Sequence, residues 1–536
     1  MSAKYTILKG IDIAGLNFLS PVVRLATGEE PAKQMKEIGR LIVIPTLAFL
    51  AFFWLWAVVA PKHRTKSGEV PTPSVVWDAR AGIWRFHNYE TAKQDGFLLQ
   101  GKERETELAR ATARIAEVGM LEKIARQQLT AAREASTVKF DTTVAPAKNA
   151  YDTLREISRE SRKGRTAALK AEAATLNTAT EEARLAFLQK LRDTQARTEI
   201  DKLELAKLKD RYEEAQEITF PEVKDATRAN TVLAEEKQFL VKYIDMLGKD
   251  SRELKLAAAK TKLKETRTSF LTATEGDLYR LGSGIIKNEK FIKTTASSKY
   301  AKPWTLPKQI VRSLLCVFAG FLLASAIAIP IGILCGLSAT FMAAMTPFIA
   351  LFKPVSPLVW LPIIMIIIGG FMPDPENNAF LMFFDKVPFI KNYKIDPMFL
   401  SSAVTVALCS LWATLVNTAL GVGAVDKDHM NVARVLRLGF WSRLFKIVIP
   451  TALPLIFAGL RISLGVGWMV LVAAEILSTS EGIGKFVNDM YTNGSSESFA
   501  QMFVVVFIVG IIGMLLDRIM VVFQRLVSFD SAVPAG

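Results

Sequence analysis

Arg461 and Glu475 are the only charged residues between Ile447 and Ser478. Ionised groups in such a run are costly in hydrocarbon, so they face a bundle interior, a partner charge or a solute path. Their spacing puts them roughly 21 Å apart along a helix and nearly on one face. Arg461 can alternatively send its stem toward an interface. Glu475 can line a translocation path or pair across a bundle, and a bare carboxylate suits an anion path poorly, which favours pairing.

The other reactive side chains form no constellation. Cys316, Cys335 and Cys409 all lie in apolar runs, so the charged middle of the chain has no disulfide framework. His63, His87 and His429 are scattered and read as surface residues, with no metal-ligand spacing. The lysine of "GIGKF" at 482–486 lacks the GxxxxGK[ST] spacing and the hydroxyl that hold phosphate and Mg²⁺. No catalytic residue and no cofactor are expected in this chain.

A second kind of chemistry is electrostatic docking. "NVARVLRLGFWSRLFKIVIPTALP", Asn431 to Pro454, carries Arg434, Arg437, Arg443 and Lys446 among Val432, Val435, Leu436, Leu444 and Ile447. Such an amphipathic basic segment lies on a lipid surface or fits a groove on a soluble partner. The prolines at 450 and 454 are expected to turn the chain back into lipid.

The elements that position these residues are apolar runs of membrane-spanning length. Leu41 to Ala60 has no charge, matching the roughly 20 residues that cross a hydrocarbon core of about 30 Å. Further spans are expected at about 313–335, 340–372, 398–424, 451–477 and 499–525. The third run contains Pro347, Pro354, Pro357 and Pro362, so it reads either as one punctuated span facing protein or a pathway, or as a short helix followed by a span. Pro357 and Trp360 are candidates for the pathway wall. Lys4, Lys9, Arg24, Lys33, Lys36 and Arg40 precede the first span, and the positive-inside rule then places both termini and the loop 426–450 in the cytoplasm.

Residues 101–300 hold 71 of the 119 formal charges, as 39 basic and 32 acidic residues. The signs are interleaved, which describes solvated helix faces rather than a nucleic-acid stripe, despite a net charge of +15. Leu233, Leu240, Leu247 and Leu254 recur every seven residues, a coiled-coil spacing. Pro146 and Pro221 are expected to divide the helices, and the return of both ends to the membrane calls for an even number of long helices or for one helix bent or broken near Gly164. The expected fold is all-α: an N-terminal segment 1–40, a first span 41–61, an extracytoplasmic insert 62–305 helical over about 97–295, and a five-helix core 306–530.

The segment "NVARVLRLGFWSRLFKIVIP" resembles the EAA loop of ABC-importer permeases. Ala433 fills the second alanine and Ile447-Val448-Ile449-Pro450 the closing element. Asn431 replaces the glutamate, Val432 the first alanine and Arg437 the glycine, while a glycine stands two residues later at Gly439. The departures are similar to the nitrate, bicarbonate and sulfonate or taurine branch. So are "VPTPSVVW" at 70–77, "PVSPLVWLP" at 354–362, "VNTALGV" at 416–422, "ALPLIFAGLRISLGVGWMVLVAAEIL" at 452–477 and "EGIGKFV" at 481–487.

The resemblance covers roughly 1–80 and 300–530, omitting the insert and a loop at 374–397. It implies a type I permease of about six transmembrane helices in a bacterial inner membrane. It also implies a second permease copy, an external solute-binding protein, and cytosolic ABC ATPase subunits that carry the ATP and Mg. Asn431, Val432, Ala433, Arg434, Leu438, Gly439, Trp441 and Pro450 would form the coupling contact with the ATPase. Two other classes remain open on the sequence: an envelope scaffold or adaptor with an outward hairpin, and a gated channel.

Overall fold

The computed structural model describes residues 7–8, 10–11, 15–65, 68–175, 181–216, 220–375, 378, 381, 393 and 395–527. Most of the loop at 374–397 thus lies outside the described residues. The principal helices are α1 (Pro31–Val59), α2 (Pro73–Leu98), α3 (Gly101–Thr175), α4 (Glu181–Gln216), α5 (Pro221–Asp245), α6 (Arg252–Leu271) and α7 (Leu278–Ala296). They continue with α8 (Leu306–Leu337), α9 (Ala339–Phe352), α10 (Pro357–Phe371), α11 (Pro397–Gly423), α12 (Lys427–Val435), α13 (Phe440–Ser478), α14 (Ile483–Asn493) and α15 (Ser496–Val527). The protein is all-α apart from a two-residue ribbon, β1 (Arg64–Thr65) against β2 (Gly68–Glu69). The chain divides into two units, residues 1–91 with 302–536, and residues 92–301.

Glycine sets the first unit's architecture. A Cβ on Gly320 would stand 2.6 Å from the Ala403 carbonyl, one on Gly332 2.8 Å from that of Leu415, and one on Gly336 2.7 Å from that of Ala419. Small residues allow such backbone approach in membrane helices, where association rests on packing rather than on the hydrophobic effect. Because the partner number rises with the glycine number, α8 and α11 run parallel.

The other pairs are antiparallel. Gly421 meets Ala452 while Gly459 meets Thr414, and Thr414 Oγ1 lies 2.7 Å from Ser463 Oγ, which fixes α11 against α13. Trp468 Nε1 donates to Val509 O at 3.1 Å and Gln524 to Pro454 O at 3.4 Å, fixing α13 against α15. Ring contacts Phe53–Phe507 and Trp56–Phe503 place α1 beside α15. Leu47, Phe49 and Trp54 of α1 are more than half exposed, as a lipid-facing surface requires.

Two parallel neighbours cannot be joined without a return crossing. That crossing falls to α9 and α10, which are too short singly and meet at a bend of 99°. The run 340–372, expected as one punctuated span or as a short helix followed by a span, is two short helices meeting at this bend. Pro354 and Pro357 flank the bend, where a missing N–H and a clash with the preceding turn stop a helix. The five long apolar helices and this bent pair match the expected six spans.

The second unit, by itself, covers residues 92–301, and the helices expected over about 97–295 lie within it. In α3, Tyr151 stacks near Tyr212, Arg165 pairs with Asp201, Glu172 with Lys190, and Arg114 with Glu236. Partners descend as α3 ascends, so α4 and α5 run antiparallel to it. Leu240 and Leu247 are buried against Ala111 and Val118, with Leu233 half-buried beside them. Glu122, buried between Lys237 and Arg126, is held below the usual carboxylate range, first by the Lys237 hydrogen bond.

Pro146 does not divide the helices. It lies on an exposed face inside α3, where water can satisfy the freed carbonyl, and Gly164 lies inside the same helix. Uninterrupted, α3 reaches about 110 Å at 1.5 Å per residue. Pro221 does start a helix, in the first turn of α5.

The glycine contacts carry a direct test. Gly332→Val should force α8 from α11 and destabilise the unit by about 1–3 kcal/mol, the usual cost of overpacking. Thermal unfolding of detergent-purified protein, with Gly369→Val (open space around it) as control, reads the difference.

Candidate functional site

At the α8 amino end, Arg312 is buried. Its guanidinium donates to Ser480 Oγ at 2.7 Å and to Asp396 Oδ1 at 2.9 Å. Asp396 also caps α11, accepting from Phe399 N at 2.8 Å. The next residue, Ser313, donates to Glu475 Oε1 at 2.6 Å and accepts from Ile483 N at 3.0 Å. Glu475 also accepts from Gly484 N at 3.0 Å. Ser313 and Glu475 thus satisfy the first free amides of α14, where a helix favours an anion.

That geometry explains "EGIG". A Cβ on Gly482 would land inside the Glu475 carboxylate, and one on Gly484 would stand 2.5 Å from the Val472 carbonyl. Glu475 is thus a pairing residue that seats α14 on α13 and α8; its contacts are all within the bundle. Arg461 has a partner charge on a neighbouring helix. It makes a two-point pair with Asp517 of α15, at 2.5 and 3.0 Å, because a planar guanidinium matches a carboxylate in a medium that penalises lone charge. The two residues therefore do different work at different depths.

Sequence reasoning missed Arg312, Asp396, Ser480 and Asp517. Asp517 had a signal, a carboxylate in the last apolar run 499–525. Arg312 sits one residue before an apolar run, and Asp396 borders the loop at 374–397, so neither stood out. His87 is not a free surface group either: Nδ1 lies 2.8 Å from Thr305 Oγ1, and Lys302 donates to Thr91 at 2.7 Å. These bonds join the two ends of the first unit where the chain leaves and re-enters it.

At the opposite end of the bundle, α12 runs from Lys427 to Val435 and the chain reverses over 436–439. Arg437 takes a left-handed backbone, φ 49°, and Gly439 precedes the first turn of α13. The reversal is therefore at Arg437, and not at Pro450 and Pro454 as expected. Pro450 follows a π turn at Leu444–Val448, a widened turn that tolerates a missing N–H, so helix runs on from Phe440 to Ser478.

Of the expected contact set, Asn431, Gly439, Trp441 and Pro450 are exposed and Leu438 is half-buried. Ala433 is 1% exposed, so it packs inward and is not a surface contact. The side chains of Val432 and Arg434 lie outside the described residues. The apolar side of the amphipathic segment is the exposed side of the tip. Val435, Leu436, Phe440, Trp441 and Phe445 are all at least half exposed, with Trp441 stacked on Phe445 at 6.0 Å. Beneath them Leu444 and Val448 are buried with Val422 and Ile456.

Pro357 and Trp360 open α10. Trp360 lies 5.8 Å from Phe352, which lies 6.3 Å from Trp412. Both indole Nε1 atoms are shielded and lack a hydrogen-bond partner among the described residues.

Residues 328–529 match the family of binding-protein-dependent transport system inner membrane components. The nitrate import permease NrtB of Synechococcus elongatus is 34% identical over 220 residues, which are 41% of this chain and 69% of that protein. The chain belongs to this family. The bicarbonate transport system permease CmpB of the same organism is 34% identical over 218 residues, 40% of this chain and 68% of its own length. A putative ABC transporter permease of Methanocaldococcus jannaschii is 33% identical over 206 residues, 38% and 65% of the two chains. The matched region runs from within α8 through α15, so the membrane unit is a transport permease and not an adaptor or a channel.

Two sets of variants test the site. Glu475→Gln keeps an acceptor for Gly484 and should leave stability nearly unchanged. Glu475→Ala strands that amide at about 1–3 kcal/mol, and Gly482→Ala should match it by collision; melting curves in detergent separate them. At the reversal, Arg437→Gly should be neutral or stabilising. Arg437→Val should cost at least about 1 kcal/mol, because a Cβ is penalised in the left-handed region.

Proposed function

We propose that this chain is the membrane subunit of an ATP-driven importer for a small inorganic or sulfonate-type anion. Nitrate and bicarbonate are the first candidates, because the relatives are named for those two ions. Two copies form the path, an external solute-binding protein delivers the ion, and cytosolic ATPase subunits hold the ATP and Mg. The termini and the loop 426–450 face the cytoplasm, and the insert lies on the outer side, with α3–α5 forming a coiled-coil hairpin there.

The observation that carries the coupling role is the exposed apolar tip around Trp441. It is built on the buried pair Leu444 and Val448 and continues without interruption into α13. A force on the tip is transmitted along a single helix to the region of Arg461, rather than lost in a flexible joint. Closure of the ATPase subunits then shifts the permease between its two access states.

The purified complex should contain an ATPase subunit, and proteoliposomes should take up nitrate or bicarbonate only with ATP on the ATPase side. Trp441→Ala should weaken ATPase association by at least about 30-fold, the loss expected when a buried aromatic anchor is truncated. Association unchanged in Trp441→Ala would remove the tip from the interface, and ATP-independent uptake would remove the importer reading.

A further inference from the structure

Lys353 is the one charged residue between Ser313 and Pro373. It lies at the bend between α9 and α10 and caps the end of α9, its N–H bonded to Ile349 O at 3.1 Å. An open cavity of about 540 Å³ is lined by Thr346, Ile349, Ala350, Lys353 and Pro354.

The depth of this lysine follows from its neighbour. Phe352 stacks on Trp412, which lies 15 residues from Pro397 and 11 from Gly423 along α11. At 1.5 Å per residue those are roughly 22 and 17 Å, so the bend sits near the middle of the membrane. A lysine stem is too short to reach either interface from there. Lys353 is exposed, and among the described residues no carboxylate pairs with it. The indole N–H groups of Trp360 and Trp412, on either side of Phe352, are shielded and add no negative group there.

A lone cation at mid-membrane is costly, and a broken helix there is tolerated where it lines a cavity. We propose that Lys353 is a substrate-contacting residue of the translocation path, a mid-membrane way station for an oxyanion. This rests on the anion reading of the importer. Among the described residues no carboxylate supplies a counter-charge to the exposed Lys353 ammonium, so the transported ion supplies it. One exposed ammonium without a closed cage holds an ion weakly enough to release it, which conduction through a site requires.

The test uses the whole transporter, permease with ATPase and binding protein, in proteoliposomes with nitrate and, separately, bicarbonate. Lys353→Met should lower anion uptake at least tenfold while ATPase activity stimulated by the binding protein stays within threefold. Lys353→Arg should keep uptake within threefold. Lys353→Cys should lose uptake and regain it on reaction with aminoethyl methanethiosulfonate, which restores a cation, but not with the sulfonatoethyl reagent. Wild-type protein treated alike controls for the native cysteines. Anion uptake within twofold of wild type in Lys353→Met overturns the way station and leaves the importer reading standing. So does failure of the cationic reagent to restore uptake to a labelled, folded Lys353→Cys complex. A wild-type complex that carries only neutral or cationic solutes overturns both.

Discussion

Backbone-to-backbone packing of α8 on α11 constrains everything else in the membrane unit. Gly320, Gly332 and Gly336 bring the two helices together in the same direction, and a chain can join parallel neighbours only by crossing back between them. The crossing is long enough for one straight helix, but prolines break it into two. Placing the break at mid-depth then creates the only kind of site in which irregular backbone survives in a membrane, one facing protein or a cavity. Lys353 stands at that break, between the two halves of the crossing.

The two ends of the bundle are held by different physics. At one end, Arg312, Asp396, Ser313, Glu475 and the first amides of α14 form a closed set in which donors meet acceptors. Such a set fixes geometry, since a partly satisfied network in low dielectric is worse than none. At the other end, the reversal at 436–439 exposes large apolar side chains and few polar constraints. A polar clamp holds one end and an exposed apolar tip stands at the other, and α13 belongs to both.

Much of this was legible in sequence because membrane helices announce themselves by length and absence of charge. The spans, the all-α class and the family came from that signal and from ordered motifs. Pairings did not, because a charge within a span is visible while its partner on another helix is not. Glu475 was read as a pairing residue, yet its partners are a serine hydroxyl and a backbone amide, which no charge count finds. Pro146 misled in the opposite direction, since an exposed helix can shed one internal bond to water and continue. Ala433, which the motif places in the coupling contact, is buried, so its small side chain serves close packing.

Arg437 shows how a departure from a motif can be informative about the motif itself. The EAA pattern has glycine where this chain has Arg437, and the backbone there is left-handed, φ 49°. Glycine occupies that conformation without penalty, whereas a residue with a Cβ is disfavoured. The position is therefore a demand of the turn and not of the partner, and this chain meets it with a strained residue. Gly439, two residues on, has φ −64°, an ordinary value for any side chain. It does not take over the role of the missing glycine, so the reversal stays at Arg437, and the tip it presents is set by backbone geometry.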